Sequence, residues 1–346
     1  MLKNKEIADI LKISPAAVSL ALNNKYGVSE DTRRKVIALR NSSMAADYND
    51  LQRRELNAPQ ILFLVLKKHG FVISDTPFFM SLSEALYQRT SIEGYSLRVC
   101  YFHPEQDLQA YLDSLNVEQY DGILVLGTEA DSQDIATICA LNKPAVVLDA
   151  WIDDMDIDCV LMDNESGVLQ GMKYAYAMGH RRIGFIGSQV RANNFRDRYC
   201  AYRAALNRLN LPYRREYVHY IRSTADGACA DMQHILENGC ETPSLFVCAN
   251  DIVAMGVINA LTKRGYRVPD DVSIIGFDDM PVSAQFNPPI TSVGINIRKI
   301  AKTAVETLVE RMHEKENASV HVRTLVSVDL KIRSSVAKVA PETVQA

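Results

Sequence analysis

From residue 60 onward the chain repeats one rhythm: a short apolar run, an amphipathic stretch, then another apolar run. The runs fall at residues 61–66, 96–101, 122–126, 145–148, 160–162, 182–186, 244–247 and 273–275, with helical patterns such as 166–178 and 252–264 between them. Runs this short, bounded by turn residues, read as strands buried on both faces. Strands separated by helices predict parallel sheets covered by helices. About 280 residues of this rhythm, at about 100–200 residues per domain, predict two α/β lobes with a cleft between them.

The first forty residues follow a different pattern, and it is purely helical. Asn4 is placed to cap a short helix whose apolar face is Ile7, Ala8 and Leu11. Lys12-Ile13 makes a turn. Ser14 is then a natural N-cap, and Pro15 a natural first helical residue because its missing N–H would be unpaired there anyway. Val18, Ala21 and Leu22 continue an inward face. Gly27 breaks the chain, and Ser29-Glu30-Asp31 opens a third helix, with Val36 and Leu39 turned to the core. Helix, tight turn, helix is the arrangement in which the second helix enters the major groove of DNA, although small three-helix scaffolds without a nucleic-acid role share it.

Charge follows the same division. The 346-residue chain carries a net −4, which alone argues against a protein coated for nucleic acid. Residues 1–46, however, hold eight Lys/Arg against four Asp/Glu, so a basic head sits on an acidic body. The expected boundaries are a headpiece at 1–46, a linker at 47–59 and a two-lobed domain at 60–340. Its first lobe is expected at about 60–161 and 292–325, its second at about 162–291 and 326–340.

Other signals exclude function classes. No apolar run approaches the roughly 18–20 residues of a membrane span, so no membrane partner is expected. The opening Met-Leu-Lys-Asn-Lys-Glu lacks the apolar core of a secretion signal. Seven scattered cysteines without a Cys-x-x-Cys suit a reducing cytoplasm and predict neither a disulfide framework nor a zinc site. No phosphate loop, Gly-x-Ser-x-Gly or His-Glu-x-x-His occurs, so neither catalysis nor a cofactor is expected. The acidic run Asp153-Asp154-x-Asp156-x-Asp158 lacks the glycine and closing glutamate of a calcium loop and reads as a solvated loop. His180, after Gly179, is placed to cap helix carbonyls.

Three groups of residues together resemble the lactose/galactose repressor family. The first lies in the head: Lys5-Glu6-Ile7-Ala8, residues 13–23 (Ile-Ser-Pro-Ala-Ala-Val-Ser-Leu-Ala-Leu-Asn) and Gly27-Val28-Ser29-Glu30-Asp31-Thr32-Arg33. The second is Val160-x-x-Asp163-Asn164 with residues 179–187 (Gly-His-Arg-Arg-Ile-Gly-Phe-Ile-Gly). The third runs from Ala249-Asn250-Asp251 through Ala254-Met255-Gly256 to Val268-Pro269-Asp270-Asp271 and Gly276-Phe277-Asp278-Asp279.

The resemblance implies an all-α helix-turn-helix headpiece on a periplasmic-binding-protein-like domain of two parallel-sheet lobes. It implies a cytoplasmic, nucleoid-associated transcriptional regulator, a repressor, whose grip on operator DNA is set allosterically by a small molecule. A homodimer is expected, each headpiece taking half of a pseudo-palindromic double-stranded operator. Pro15, Ala16 and Leu20 would face the bases, and their apolar side chains can touch thymine methyls but cannot form bidentate bonds to guanine or adenine. Ala17 stands where the family usually has threonine, and Leu20 where a polar reader is frequent. Lys5, Ser14, Ser19, Asn23 and Lys25 would hold phosphates. In the linker, Leu56 aligns with the family's minor-groove leucine, but the usual proline is missing and Arg53 replaces a small neighbour.

Strand ends in such lobes point into the ligand crevice. Asp149, Asn250 and Asp278 end predicted strands, and Arg198 matches a ligand-contacting arginine of the family. Phe78, Phe79 and Trp151 would supply an apolar face for a sugar ring. A sugar or sugar derivative is therefore the expected effector. Ile295, near a position where the family often has glutamine, makes the pocket less polar there. The alternatives are a regulator answering to a nucleobase and a two-lobed solute-binding protein without catalysis.

Overall fold

The computed structural model describes residues 3–23, 25, 27–29, 32–37, 39–40, 58–69, 77–103, 105, 107–152, 156–314 and 320–339. The predicted hinge, Leu56 included, lies outside these residues. The chain divides into an N-terminal helical unit and a larger α/β unit.

In the first unit, α1 (Asn4–Leu11) and α2 (Pro15–Leu22) are joined by a tight turn. Asn4 is not the cap. It is the first helical residue, and the preceding Lys3 closes the end by donating its N–H to Glu6 Oε2 at 2.6 Å. Lys12 turns the chain with φ 54°, and Ile13 donates back to Ala8 O. Ser14 caps α2 as expected, its Oγ accepting from Ala17 N at 3.1 Å. Ile7, Ala8, Val18, Ala21 and Val36 form the buried core, with Leu11, Leu22 and Leu39 packed against it. Residues 32–37 and 39–40 are helical, and Ser29 Oγ accepts from Thr32 N at their start.

The second unit holds two six-stranded sheets. The first runs β11 (Arg323–Val326), β5 (Asp158–Met162), β4 (Ala145–Leu148), β3 (Gly122–Leu126), β1 (Gln60–Leu66), β2 (Ser96–Phe102). It is parallel from β11 to β1. The second runs β12 (Asp329–Lys331), β10 (Thr291–Gly294), β9 (Ser273–Asp278), β8 (Leu245–Cys248), β6 (Ile183–Ser188), β7 (Val218–Ile221). It is parallel except for β12. The chain therefore passes between lobes after β5, β10 and β11.

Every predicted strand is present. The four that were missed are weakly apolar. β7, β11 and β12 lie at or beside sheet edges and are partly exposed, and β10 is Thr-Ser-Val-Gly. Missing β10 also misplaces a boundary: it pairs with β9, so the second sheet extends through Gly294 rather than ending at 291. Helix 297–313 then packs under the first sheet, with Ala301, Ala304 and Leu308 buried.

Two expectations are corrected by burial. Asp158, read as part of a solvated loop, is 1 % exposed and begins β5. Its carboxylate accepts two bonds from Arg311, at 2.8 and 2.9 Å, and one from Val322 N–H. His180 caps no helix with its ring. It bridges Ser244 Oγ and Ala337 O, both at 3.0 Å, tying the C-terminal segment to the second lobe.

Candidate functional site

The predicted strand-end residues converge. Asp149 follows β4 with φ 63°, a left-handed conformation that Asp tolerates better than bulky residues do. It is 5 % exposed. Its Oδ2 accepts from the Thr128 hydroxyl at 2.6 Å and from Asn194 Nδ2 at 3.2 Å, while its Oδ1 has no hydrogen-bond partner. Asp278 ends β9 with φ 99°. Asn250 follows β8, and its Oδ1 caps the helix Asp251–Lys263 by accepting from Val253 N at 2.9 Å. Asp251 is the first residue of that helix and not its cap. Asp251 is instead fully buried and accepts from Ser283 and Ser292 hydroxyls, both at 2.6 Å, and from Met280 N–H.

Arg198 joins these elements from behind. It projects from the helix Asn193–Arg208 and is 1 % exposed. Nε donates to Asn164 Oδ1 at 2.9 Å, Nη1 to Ala249 O at 2.6 Å, and Nη2 approaches both Met162 Sδ and Asp278 Oδ1 at 3.1 Å. Its guanidinium lies 3.7 Å from the centroid of the Phe277 ring. Burial pushes the Asp149 and Asp278 carboxyls up, each to about 6, against the opposing pull of Arg198. The two acids also raise the cost of charging together.

Phe78, Phe79, Asp149, Asn250 and Asp278 line one small cavity of about 20 Å³, the space of roughly one water. Phe79 is fixed by stacking on Phe63, with centroids 6.2 Å apart. Trp151 is placed elsewhere. It lines the adjoining cavity of about 1110 Å³, where Lys68, Glu129, Arg191, Tyr199 and Tyr220 also stand. Arg323 covers the Trp151 ring at 4.7 Å. Ile295 lines neither cavity, lying instead in a separate polar cavity with Glu84 and Asp329. Thr128, Asn194 and Phe195 line the small cavity and were not foreseen. Thr128 was within reach of the strand-end rule, since it follows β3. Asn194 and Phe195 sit in a helix's first turn and carried no such signal.

In the helical unit, Lys5, Ser14, Pro15, Ala16, Asn23 and Lys25 are exposed, whereas Ala17, Ser19 and Leu20 are half-buried. Asn23 Nδ2 donates to Ser19 O at 2.9 Å, fixing the end of α2. Leu20 packs over the following turn: a Cβ added to Gly27 would stand 3.2 Å from its Cδ1.

This architecture matches known proteins over nearly its full length. Residues 172–336 match the family described as periplasmic binding protein-like domain. The transcriptional repressor PurR of Mannheimia succiniciproducens is 29% identical over 342 residues, covering 97% of this chain and 99% of that one. PurR of Haemophilus influenzae strain PittEE is 26% identical, covering 96% and 98%. The lac repressor dimer bound to operator and the anti-inducer ONPF superposes with a TM-score of 0.71 at 23% identity, covering 97% and 99%. The CelR–cellobiose complex also gives 0.71, at 22% identity, covering 97% and 100%. These similarities agree with the resemblance to the lactose/galactose repressor family carried by the sequence motifs.

The relatives so matched are described as transcriptional repressors, and the structural neighbours as a transcriptional regulator and a repressor. Among the described residues, no helix is long and apolar enough to cross a membrane.

Proposed function

We propose that this chain is a DNA-binding transcriptional repressor controlled by a small-molecule effector, and that the effector is a polyhydroxylated molecule, a sugar or sugar derivative, held by Asp149, Asn194, Asn250 and Asp278. One observation carries the reading. Asp149 Oδ1 and Asn194 Oδ1 are both buried, both acceptors, and both without a hydrogen-bond partner. A buried unpaired acceptor costs about 1–3 kcal/mol, and a ligand rich in O–H donors relieves two such costs together. Phe78 and Phe79 offer the apolar wall that a sugar's C–H face needs, and Trp151 extends it into the wider cavity. The solved CelR relative is described with cellobiose, a ligand of this class.

A cavity of about 20 Å³ is far below the roughly 300–1,000 Å³ of ordinary ligand sites, so binding has to part the lobes. That motion couples the effector to the operator through two global states. Arg198 acts behind the ligand, holding Asp278 in place, rather than as a direct donor. At the operator, Pro15, Ala16 and Leu20 meet base edges. Lys5, Ser14, Ala17, Ser19, Asn23 and Lys25 follow the phosphates, and Leu56 enters the minor groove. With so few polar readers one headpiece binds weakly, and a homodimer supplies the rest of the affinity.

Thermal-shift measurements across a sugar panel and a nucleobase panel test the reading, with Asp149→Asn alongside. Sugars should stabilise the wild type and not the variant. Stabilisation by nucleobases alone would overturn the carbohydrate assignment.

A further inference from the structure

We infer that Asn193 and Asn194 form the clasp that holds the two lobes closed over the effector pocket. Both residues open the second-lobe helix Asn193–Arg208, yet the partners that fix them belong to the first lobe. The backbone N–H of Asn193 donates to Thr128 O at 3.1 Å. Its side-chain Nδ2 donates to Gly127 O and to Ala130 O, each at 3.0 Å. One residue thus makes three bonds to one turn. Asn194 Nδ2 adds a fourth, to Asp149 Oδ2 at 3.2 Å.

The receiving turn is itself built into the site. Gly127 lies so close to β4 that an added Cβ would stand 2.9 Å from Ala150 Cβ and Val147 Cγ1. The Thr128 hydroxyl donates a hydrogen bond to the same Asp149 oxygen that Asn194 reaches. Closure and effector recognition therefore share Asp149: the clasp occupies Oδ2 and leaves Oδ1 for a ligand. The helix carrying the clasp also carries Phe195, in the wall of the small cavity, and Arg198, behind Asp278. Opening the clasp moves all of them away from the first lobe as one rigid piece. A second bridge nearby, between His69 Nε2 and Arg191 O at 3.0 Å, is a single bond at the mouth of the cleft.

Asparagine suits the position chemically. One amide nitrogen carries two protons and so reaches two carbonyls. Aspartate, of the same shape, sets a carboxylate against those two carbonyl oxygens, whereas alanine only removes the donors. A loss of contacts made in one state alone shifts the population toward the other state.

The test needs no effector, so it stands apart from the carbohydrate reading. Full-length Asn193→Ala and Asn193→Asp are compared with wild type by small-angle scattering and by acrylamide quenching of Trp151, the only tryptophan in the chain. Both variants should show a larger radius of gyration and a more accessible Trp151, with Asn193→Asp the more open, at unchanged far-ultraviolet circular dichroism. Folded variants with wild-type scattering and quenching would overturn the clasp. Hydrogen exchange on the wild type decides the matter even if a variant does not fold. The Asn193 amide is the clasp's backbone donor and, in a helix's first turn, has no partner within its own helix, so it should be protected from exchange, and exchange at the unprotected rate would overturn the proposal.

Discussion

Arg198 Nη2 lies 3.1 Å from Asp278 Oδ1, and the same guanidinium holds Asn164, Ala249 and Met162. The pair is almost wholly out of water, with side-chain exposures of 1% and 11%. Removing one partner of such a pair leaves the other buried and unpaired, which costs about 3–5 kcal/mol. Arg198→Ala should therefore lower the urea midpoint strongly as well as abolish effector binding. Asp278→Asn keeps an acceptor for Nη2 and should lose the effector at a much smaller cost in stability. Equal midpoints for the two variants would contradict this assignment.

Asp149 separates backbone from side-chain effects. At φ 63°, asparagine is tolerated and alanine is strained by about 1–2 kcal/mol. Asp149→Asn also preserves an acceptor for Thr128. Both variants should lose the effector-induced thermal shift, but only Asp149→Ala should fall by about 1–2 kcal/mol more in denaturant melts.

Three buried acids give the protein a pH signature. Burial raises Asp149 and Asp278 to about 6 and Asp251 to about 7. In the unfolded chain these groups titrate near about 3.9. Between about pH 4 and 7 the folded state thus binds more protons than the unfolded one, and linkage makes stability fall as pH rises through that window. His180 and His219, which burial lowers, act in the opposite sense. The contribution of Asp251 is therefore read as a difference: the midpoint of Asp251→Asn should fall less between pH 4.5 and 7.5 than that of wild type. Parallel pH profiles would remove Asp251 from the account.

In the headpiece, Ser14 Oγ holds Ala17 N at 3.1 Å at the start of α2. Losing an N-cap of this kind costs about 1 kcal/mol. Ser14→Ala should lower the melting temperature of the helical unit and weaken operator binding. Ser14→Asp, which restores an acceptor, should recover the melting temperature while placing a negative charge beside DNA phosphates. Recovery of stability without recovery of binding would assign Ser14 both roles.

Much of the architecture follows from local pattern. Apolar runs long enough to be buried on both faces marked eight strands, because such strands need no partner face to explain their composition. Ser14-Pro15 marked the start of α2 through chemistry confined to four residues. Strand ends then pointed to Asp149, Asn250 and Asp278, and all three meet at one cavity.

What sequence pattern left open depended on partners distant in the chain. β7, β11 and β12 are partly exposed at or near sheet margins, and β10 is short and polar, so no run of apolar residues announces them. Trp151 and Asp149 are two residues apart but line different cavities. Asn194 joined the site only because its helix meets a turn 66 residues upstream, and Asp158 left the solvent only because Arg311 folds back over it. Periodicity determines which face of an element is buried. Which polar groups are buried together, and which of them keep an open valence for a ligand, is decided by the packing of the two lobes.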